Sequence, residues 1–358
     1  MVDLGTGMVR LLNRLAIDPS LRQAHLAKSL NFSRSAINQL WKKLETDHNF
    51  RVRSNLDYGR LGFHYMYGWG RLAGDGDAMT RFEVWLMRNP FTLSLSRSLM
   101  TSKMDRRVFF QALVPSRDHL GDYITSLERF KKRPYSLDIS YDSALTIADQ
   151  LNFGYYSDNG WEFESEYRFQ ASFTAAKSYA SILPASQAIK QSSLSDCDAI
   201  QRLVAASLET DYFATSLQVR ENLLKLGVPI QSERTLRRKI STARNTIAHP
   251  YIDLDNIGLP QTVIITLEEP EGADIYKVLQ AQSSLFPQVR VLSGAQSLVL
   301  IIRIPVQTSW FNISTAMSHI VDSSSEICTF IAENPPVRRW LMDVIQHFKG
   351  PQERELID

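Results

Sequence analysis

Residues 26–62 read LAKSLNFSRSAINQLWKKLETDHNFRVRSNLDYGRLG, and residues 222–258 read NLLKLGVPIQSERTLRRKISTARNTIAHPYIDLDNIG. The two stretches align about 196 residues apart, with apolar or turn residues at the matched positions. The matched pairs are Leu30-Asn31 with Leu226-Gly227, Leu40 with Leu236, Leu44 with Ile240, Leu56-Asp57 with Ile252-Asp253, and Leu61-Gly62 with Ile257-Gly258. Because these are packing and turn positions, the repeat indicates a duplicated fold and not a duplicated catalytic site.

The first stretch has the spacing of a helix-turn-helix. Ala27, Asn31, Ile37 and Leu40 stand at positions 5, 9, 15 and 18 of a twenty-residue window, where this motif needs a small residue, a turn residue and two packing residues. Ser33 is expected to cap the second helix of the motif, and the alternation over residues 49–54 predicts a wing strand.

The polar face of this predicted helix is suited to DNA. Asn and Gln pair with adenine, Arg pairs with guanine, and Ser and Lys bind phosphate. The predicted DNA-binding residues are Arg34, Ser35, Asn38, Gln39 and Lys42 on the helix, with Arg51 and Arg53 on the wing. The alternative is an ordinary polar face on a three-helix head.

The second head is less regular. Glu233 stands where the motif expects a packing residue, but the presumed recognition helix is more basic, with Arg234, Arg237 and Arg238. This charge favours phosphate contact over base reading. The alternative is a degenerate head that is kept only for packing.

Each head precedes a segment that alternates strand, helix, strand, strand, helix, strand, which is the ferredoxin-like βαββαβ order. We therefore predict an α+β fold in which two winged helix-turn-helix domains alternate with two ferredoxin-like βαββαβ domains. A hairpin at Asp158-Asn159-Gly160 and a helix over 171–182 are predicted in the linker between the repeats. The predicted boundaries are 1–60, 61–145, 146–195 (linker), 196–258, 259–335 and 336–358 (C-terminal helix and tail).

The bulk composition is that of a globular protein. Of 358 residues, 44% are hydrophobic and 22% are charged, and no apolar run is long enough for a membrane span. Residues 1–60 carry ten Lys and Arg against five Asp and Glu, whereas residues 259–336 carry three against seven. A basic head beside an acidic body is typical of a nucleic-acid binder, although random scatter of surface charge is the alternative. The two cysteines favour a reducing compartment, so a cytoplasmic, nucleoid-associated protein is expected.

Catalytic signatures are sparse. The seven histidines have no HxxxH or HxH spacing, and the chain has no GxSxG, P-loop or GxGxxG motif. The prediction is therefore a protein that is not an enzyme, with no cofactor and no metal.

A winged helix-turn-helix, a linking segment of the form Leu56-Asp57…Leu61-Gly62 and a βαββαβ body together resemble the Lrp/AsnC family of transcriptional regulators. The resemblance implies double-stranded DNA as the partner and a homo-oligomer formed through the ferredoxin-like sheets. It also implies a small-molecule effector near a glycine-containing loop, for which Gly294, Ala295 and Ser297 are the candidates. The matching Thr101–Asp105 loop has no glycine, and a plain β-turn is the alternative for the second copy.

Two other functions stay open. The siroheme decarboxylases share this head-and-body architecture and use Arg and His in the body on a tetrapyrrole. His64 and Arg71 lie on a predicted strand, and the residues that could hold carboxylates here are His64, Arg97, Arg106, Arg107 and His119. The alternative is that these are ordinary structural or surface residues. The remaining alternative is a module whose heads bind another protein, such as a component of the transcription machinery.

Overall fold

A computed structural model describes residues 4–72, 76–99, 106–115, 117–157, 159–163, 171, 175, 178, 189–195, 197–228, 232–320, 326–333 and 337–347. The predicted loop Thr101–Asp105 and Asp158 of the predicted hairpin lie outside these ranges. The helix predicted over 171–182 is described only at residues 171, 175 and 178, which are helical.

The described elements alternate between helices and strands along the whole chain. The α-helices are α1 Gly5–Ile17, α2 Gln23–Leu30, α3 Arg34–Asp47, α4 Gly76–Arg88, α5 Arg117–Lys131, α6 Ala199–Thr210, α7 Ser216–Lys225, α8 Glu233–Thr246, α9 Asp274–Gln282, α10 Trp310–Ile320 and α11 Leu341–His347. The strands are β1 Arg51–Leu56, β2 Phe63–Arg71, β3 Thr92–Arg97, β4 Arg107–Pro115, β5 Asp138–Ser143, β6 Thr146–Leu151, β7 Tyr156–Ser157, β8 Gly160–Trp161, β9 Ile189–Lys190, β10 Ala248–Asp253, β11 Gln261–Glu268, β12 Gln288–Ser293, β13 Ser297–Ile304, β14 Glu326–Ala332 and β15 Val337–Arg338.

The chain has a mixed α+β fold with several sheets, and it divides into two compact units built from non-consecutive segments. The first unit comprises residues 1–53, 147–188 and 250–331, and the second comprises 54–146, 189–249 and 332–358. Each unit therefore combines the helical head of one repeat with the sheet of the other. Within the described ranges, every helix is too short or too polar to cross a lipid bilayer.

The turn and the helix cap of the first head form as the sequence predicts. Asn31 adopts the left-handed conformation with φ 57°, which ends α2 and turns the chain into α3. The Ser33 hydroxyl then accepts a hydrogen bond from the Ala36 amide at 3.0 Å, which caps α3. The apolar side of α3 buries Ile37 and Leu44, so its polar side faces outward.

In the first unit, strands β14, β11, β13, β12 and β6 are neighbours in that order. Strands β11 and β13 are antiparallel, with Gln261 opposite Ile304 and Glu268 opposite Ser297. One face of this sheet is covered by an apolar core that includes Val263, Leu300 and Tyr276. This pairing places the turn from Ser293 to Ser297 at one end of the sheet.

In the second unit, the sheet has the strand order β15-β3-β4-β2-β5. Phe63 lies opposite Pro115 and Arg71 lies opposite Arg107, so β2 and β4 run antiparallel over their full length. Helices α4 and α5 cover one face of the sheet. Their core side chains, Met79, Phe82, Leu86 and Leu127 among them, pack on Phe110 and other strand residues.

The C-terminal segment completes the second unit. Strand β15 pairs antiparallel with β3, which covers the free edge of the sheet. The Arg339 guanidinium donates to the carbonyl oxygens of Asn89 at 2.7 Å and Met87 at 2.9 Å, near the end of α4. The buried Glu209 carboxylate of α6 accepts from the Leu341 amide at 2.6 Å, which holds the first turn of α11.

Candidate functional site

A buried carboxylate on α4 organises the arginine-rich end of the second unit's sheet. Met79, Phe82, Glu83 and Leu86 follow the i, i+3, i+4, i+7 spacing of one helical face, so Glu83 falls inside the apolar stripe of its helix. Its side chain is only 3% exposed. A carboxylate at such a position stays ionised only when cations or hydrogen-bond donors lie close to it.

Two arginines supply that compensation. The Glu83 Oε2 atom lies 2.8 Å from Arg106 Nη2 and 2.9 Å from Arg97 Nε. Arg97 ends β3 and Arg106 directly precedes β4, so the two neighbouring strands bring both guanidiniums to the same end of the sheet. Arg106 Nη1 also donates to the Thr80 hydroxyl at 3.1 Å, one helical turn from Glu83.

The cluster is suited to binding an anionic oxygen ligand. The Arg97 and Arg106 side chains are 28% and 30% exposed, so each contacts the buried acid while part of the side chain stays open to solvent. A planar guanidinium has five N–H donors and matches a carboxylate bidentately, and fixing its plane reduces the entropy lost on binding. Among the described residues, buried Arg97 Nε makes no hydrogen bond of acceptable geometry.

Two more arginines lie at this end of the sheet, whereas the two candidate histidines do not. Arg71 ends β2 directly opposite Arg107, the first residue of β4. His64 lies opposite Val114, seven residues along β2 from Arg71, which corresponds to about 23 Å. His119 lies edge-on to Phe91, whose carbonyl accepts from the Leu113 amide near the same end as His64. The structure therefore separates the histidines from the arginines.

The corresponding end of the first unit's sheet has different chemistry. Glu268, Ser293 and Ser297 stand where the strands of the other sheet have Arg71, Arg97 and Arg107. The Gly294 carbonyl accepts from the Tyr276 hydroxyl at 2.9 Å, and the Gly294 amide donates to the Ser297 carbonyl at 2.9 Å.

Hydrogen bonds inside the unit thus engage the turn that holds the predicted effector residues. Ala295 is exposed, and its carbonyl accepts from the Glu271 amide at 3.2 Å. No group of three His, Cys, Asp or Glu residues placed to hold a metal ion occurs in the described part of the chain.

The structure places the predicted DNA-binding residues on the two heads. The five residues on α3 are all exposed: Arg34, Ser35, Asn38, Gln39 and Lys42. On the wing, Arg51 pairs with Glu45 at 3.2 Å and Arg53 pairs with Asp253 at 2.5 Å.

On the second head, Arg234 and Arg238 are exposed, and Arg237 pairs with Glu233 at 2.5 Å. Carboxylates therefore lie against both wing arginines and against one arginine of α8.

A solved enzyme structure shares this architecture over nearly the whole length of both chains. The siroheme decarboxylase NirDL matches with a TM-score of 0.53 at 12% identity, covering 98% of each chain. NirDL in complex with an iron-uroporphyrin III analogue matches with a TM-score of 0.51 at 11% identity, covering 98% of this chain and 99% of the other.

A transcriptional regulator from Neisseria meningitidis in complex with L-Met is 17% identical and covers 38% of this chain and 88% of its own. Its TM-score of 0.27 supports no inference. No family model matches the chain, and no curated protein matches its sequence.

The whole-chain match overturns the prediction of a DNA-binding regulator that is not an enzyme. The prediction was wrong because it treated the helix-turn-helix spacing as evidence of DNA contact. That spacing specifies how three helices pack, and an exposed polar face follows from the packing whether or not DNA is bound. The carboxylates against Arg51, Arg53 and Arg237 also reduce the positive charge that the sequence alone suggested.

Sequence reasoning identified Arg97 and Arg106 but missed Glu83, Thr80 and Glu333. Glu83 had a readable signal, because a charged residue inside an apolar helical stripe predicts a buried ion pair. Glu333 lies 3.8 Å from Arg97 Nη1 through a long-range contact, and the local sequence gives no sign of it.

Proposed function

We propose that this protein binds a carboxylated iron tetrapyrrole and decarboxylates it, in the manner of a siroheme decarboxylase. The observation that carries the proposal is the shared fold over 98% of both chains with the enzyme of that name. The arginine pair on Glu83 supports it independently, since a tetrapyrrole of this class presents several carboxylates and needs guanidinium partners.

We also infer the finer architecture behind this function. The chain is a duplication of a winged helix-turn-helix followed by a ferredoxin-like βαββαβ domain. The βαββαβ order of β2, α4, β3, β4, α5 and β5 supports this inference, as does the repeated head. In this interpretation the heads serve as packing domains of an enzyme.

Arg97 and Arg106 anchor carboxylates that the substrate keeps. In a decarboxylation the bond between the carboxyl carbon and its neighbour breaks, carbon dioxide leaves, and the neighbouring carbon takes up a proton. A guanidinium stabilises the charged carboxylate of the ground state, so an arginine on the departing group would raise the barrier. The two arginines are therefore assigned to orientation of the macrocycle and not to the reacting group.

One macrocycle is expected per chain. The arginine-rich end occurs in the second unit, whereas Glu268, Ser293 and Ser297 occupy the matching ends in the first unit. An anionic ligand is repelled by Glu268 and finds no guanidinium at Ser293 or Ser297.

The test is a visible-absorption titration of the full chain with iron-uroporphyrin III, which carries a carboxylate on every side chain. Saturable binding near one equivalent is expected, with little binding of iron octaethylporphyrin, which has none. Replacing Arg97 or Arg106 with Gln should weaken binding by about 1.5–3 kcal/mol, or roughly 10- to 100-fold. Arg129→Gln is the matched control, because Arg129 is an exposed arginine of α5 in the same unit.

Turnover is tested by incubating the protein with siroheme and following loss of carbon dioxide by mass spectrometry. Absence of saturable binding by the wild-type protein would refute the proposal. Equal effects of Arg97→Gln and Arg129→Gln would refute the placement of the site.

A further inference from the structure

Two carboxylates of different character contact Arg97. Glu83 is 3% exposed and lies 2.9 Å from Arg97 Nε, inside the apolar stripe of α4. Glu333 is 38% exposed and lies 3.8 Å from Arg97 Nη1, which is an ion-pair distance without a hydrogen bond. The two contacts therefore differ in strength, since a solvent-screened pair is worth far less than a buried one.

The main chain keeps Glu333 near Arg97. The Glu333 amide donates to the Arg97 carbonyl at 2.8 Å, and Ala332 bridges to Ser98 in antiparallel fashion. Strand β15 continues this pairing along β3 with Val337 opposite Leu95. The Glu333 side chain is thus held within reach of the guanidinium by backbone contacts, and it can swing away without breaking them.

Glu83 has no such freedom. Its carboxylate sits beneath Arg97 and Arg106, and moving it would strand a buried charge in the apolar stripe of α4. It therefore orients the Arg106 guanidinium through a hydrogen bond and holds the Arg97 guanidinium through a close ion pair, whether or not a ligand is bound.

We propose that Glu83 is a positioning residue for Arg97 and Arg106, and that Glu333 is an internal competitor which a ligand carboxylate displaces from Arg97. This inference rests on the proposed function of the same site. It assigns opposite roles to two carboxylates that touch one arginine. The chain would then hold Arg97 partly neutralised until an anionic ligand arrives.

Charge alone predicts something different. Glu83→Gln and Glu333→Gln each remove one negative charge beside Arg97, so simple electrostatics predicts tighter binding of an anion for both variants. The proposed roles instead predict that the two variants change the binding affinity in opposite directions. Glu333→Gln should tighten iron-uroporphyrin III binding about two- to five-fold, the range of a partly exposed ion pair. Glu83→Gln should weaken it by about tenfold or more, because a neutral amide keeps neither the charge-assisted hydrogen bond to Arg106 nor the ion pair that holds Arg97.

The experiment is a visible titration of the full-length protein with iron-uroporphyrin III, for the wild type and both variants. Glu221→Gln is the matched control, because it makes the same chemical change at an exposed carboxylate of α7, and no change is expected. In the double variant that combines Glu83→Gln with Glu333→Gln, the gain in affinity from Glu333→Gln should largely vanish, because Arg97 is no longer held in place for the ligand. Raising the salt concentration should reduce the difference in affinity between the wild type and Glu333→Gln, because salt screens the exposed Glu333.

Each outcome is decisive. Unchanged or weaker binding by Glu333→Gln overturns the competitor role, and unchanged or tighter binding by Glu83→Gln overturns the positioning role. Urea unfolding checks that Glu83→Gln is folded. If it is not, Glu83→Asp replaces it, and partial retention of affinity by this charge-preserving variant is required. A wild-type protein that binds no iron-uroporphyrin III overturns the proposed function and this inference with it.

Discussion

Tyr58→Phe should destabilise the second unit by much more than its single lost hydroxyl suggests. The Tyr58 hydroxyl donates to Glu209 Oε1 at 2.6 Å, and Glu209 Oε2 accepts from the Leu341 amide at 2.6 Å. Tyr58 and Glu209 are 3% and 2% exposed. A hydrogen bond to a buried charged group is worth about 1.5–3 kcal/mol. For a unit of this size that corresponds to a melting temperature lower by about 3–12 °C.

The assay is urea unfolding of the full chain, followed by far-ultraviolet circular dichroism, in a double-mutant cycle with Glu209→Gln. The coupling free energy between the two positions should be at least about 1 kcal/mol. The matched control is Tyr141→Phe, which removes a hydroxyl that donates to Glu128 at 2.9 Å. Since Glu128 is 36% exposed, Tyr141→Phe should lower the free energy of unfolding by less than about 1 kcal/mol.

Equal losses in the free energy of unfolding for Tyr58→Phe and Tyr141→Phe would refute the reasoning, because the larger loss at Tyr58 is attributed to burial and not to the hydrogen bond alone. A coupling of zero between Tyr58 and Glu209 would refute it as well. Either result would mean that Glu209 does not join the first body, the second head and α11 into one cooperative unit.

Three further predictions follow from local chemistry. Burial raises the pKa of the Cys197 thiol to about 11 from its ordinary 9.0. Alkylation near pH 8 should therefore be about a hundredfold slower than that of an unburied thiol, and a comparable rate would contradict this. Burial raises the pKa of Asp198, but hydrogen bonds from Lys239 and the backbone outweigh it, so the pKa lies below 3.8. Asp198→Asn should cost at most about 1 kcal/mol above that pH and nothing in strong acid, as urea unfolding at both pH values will test, and an equal cost at both would count against the pair. Asn31→Ala should lower the free energy of unfolding by about 1 kcal/mol, because its φ of 57° disfavours a Cβ-bearing residue without a local partner. Asn31→Gly should cost nothing measurable, since Gly227 has φ 68° at the matched position of the second head.

The sequence predicts local structure in this chain where short-range chemistry decides it. The turn at Asn31 and the cap at Ser33 depend on residues within a few positions of one another, and both are present. The strand and helix order of the first body is likewise set by periodicity and turn residues. The grouping of segments into units could not be predicted from local sequence. It depends on long-range contacts, such as the hydrogen bond between Glu209 and Leu341, which are 132 residues apart.

For the same reason, only part of the candidate site could be predicted from the sequence. Arg97 and Arg106 were candidates because a guanidinium can hold a carboxylate. Their common partner Glu83 lies on a helix, and only the packing of α4 on the sheet brings it beneath them. His64 and His119 were grouped with the arginines by residue type alone, and the antiparallel register separates them.

The proposed duplication provides the strongest functional contrast in this chain. Packing constrains both repeats in the same way, so positions that serve the fold stay similar, as Leu44 and Ile240 do. Packing does not require a charged residue at the ends of the sheets, where Ser293 and Ser297 are small and buried. Yet Arg97 and Arg107 stand at the strand ends of one repeat, and Ser293 and Ser297 stand at those of the other. The buried Glu83 beneath Arg97 and Arg106 adds little net stability, because its desolvation offsets the attraction between the charges. The difference between the repeats, more than their likeness, therefore supports the proposed placement of the ligand site in the second unit.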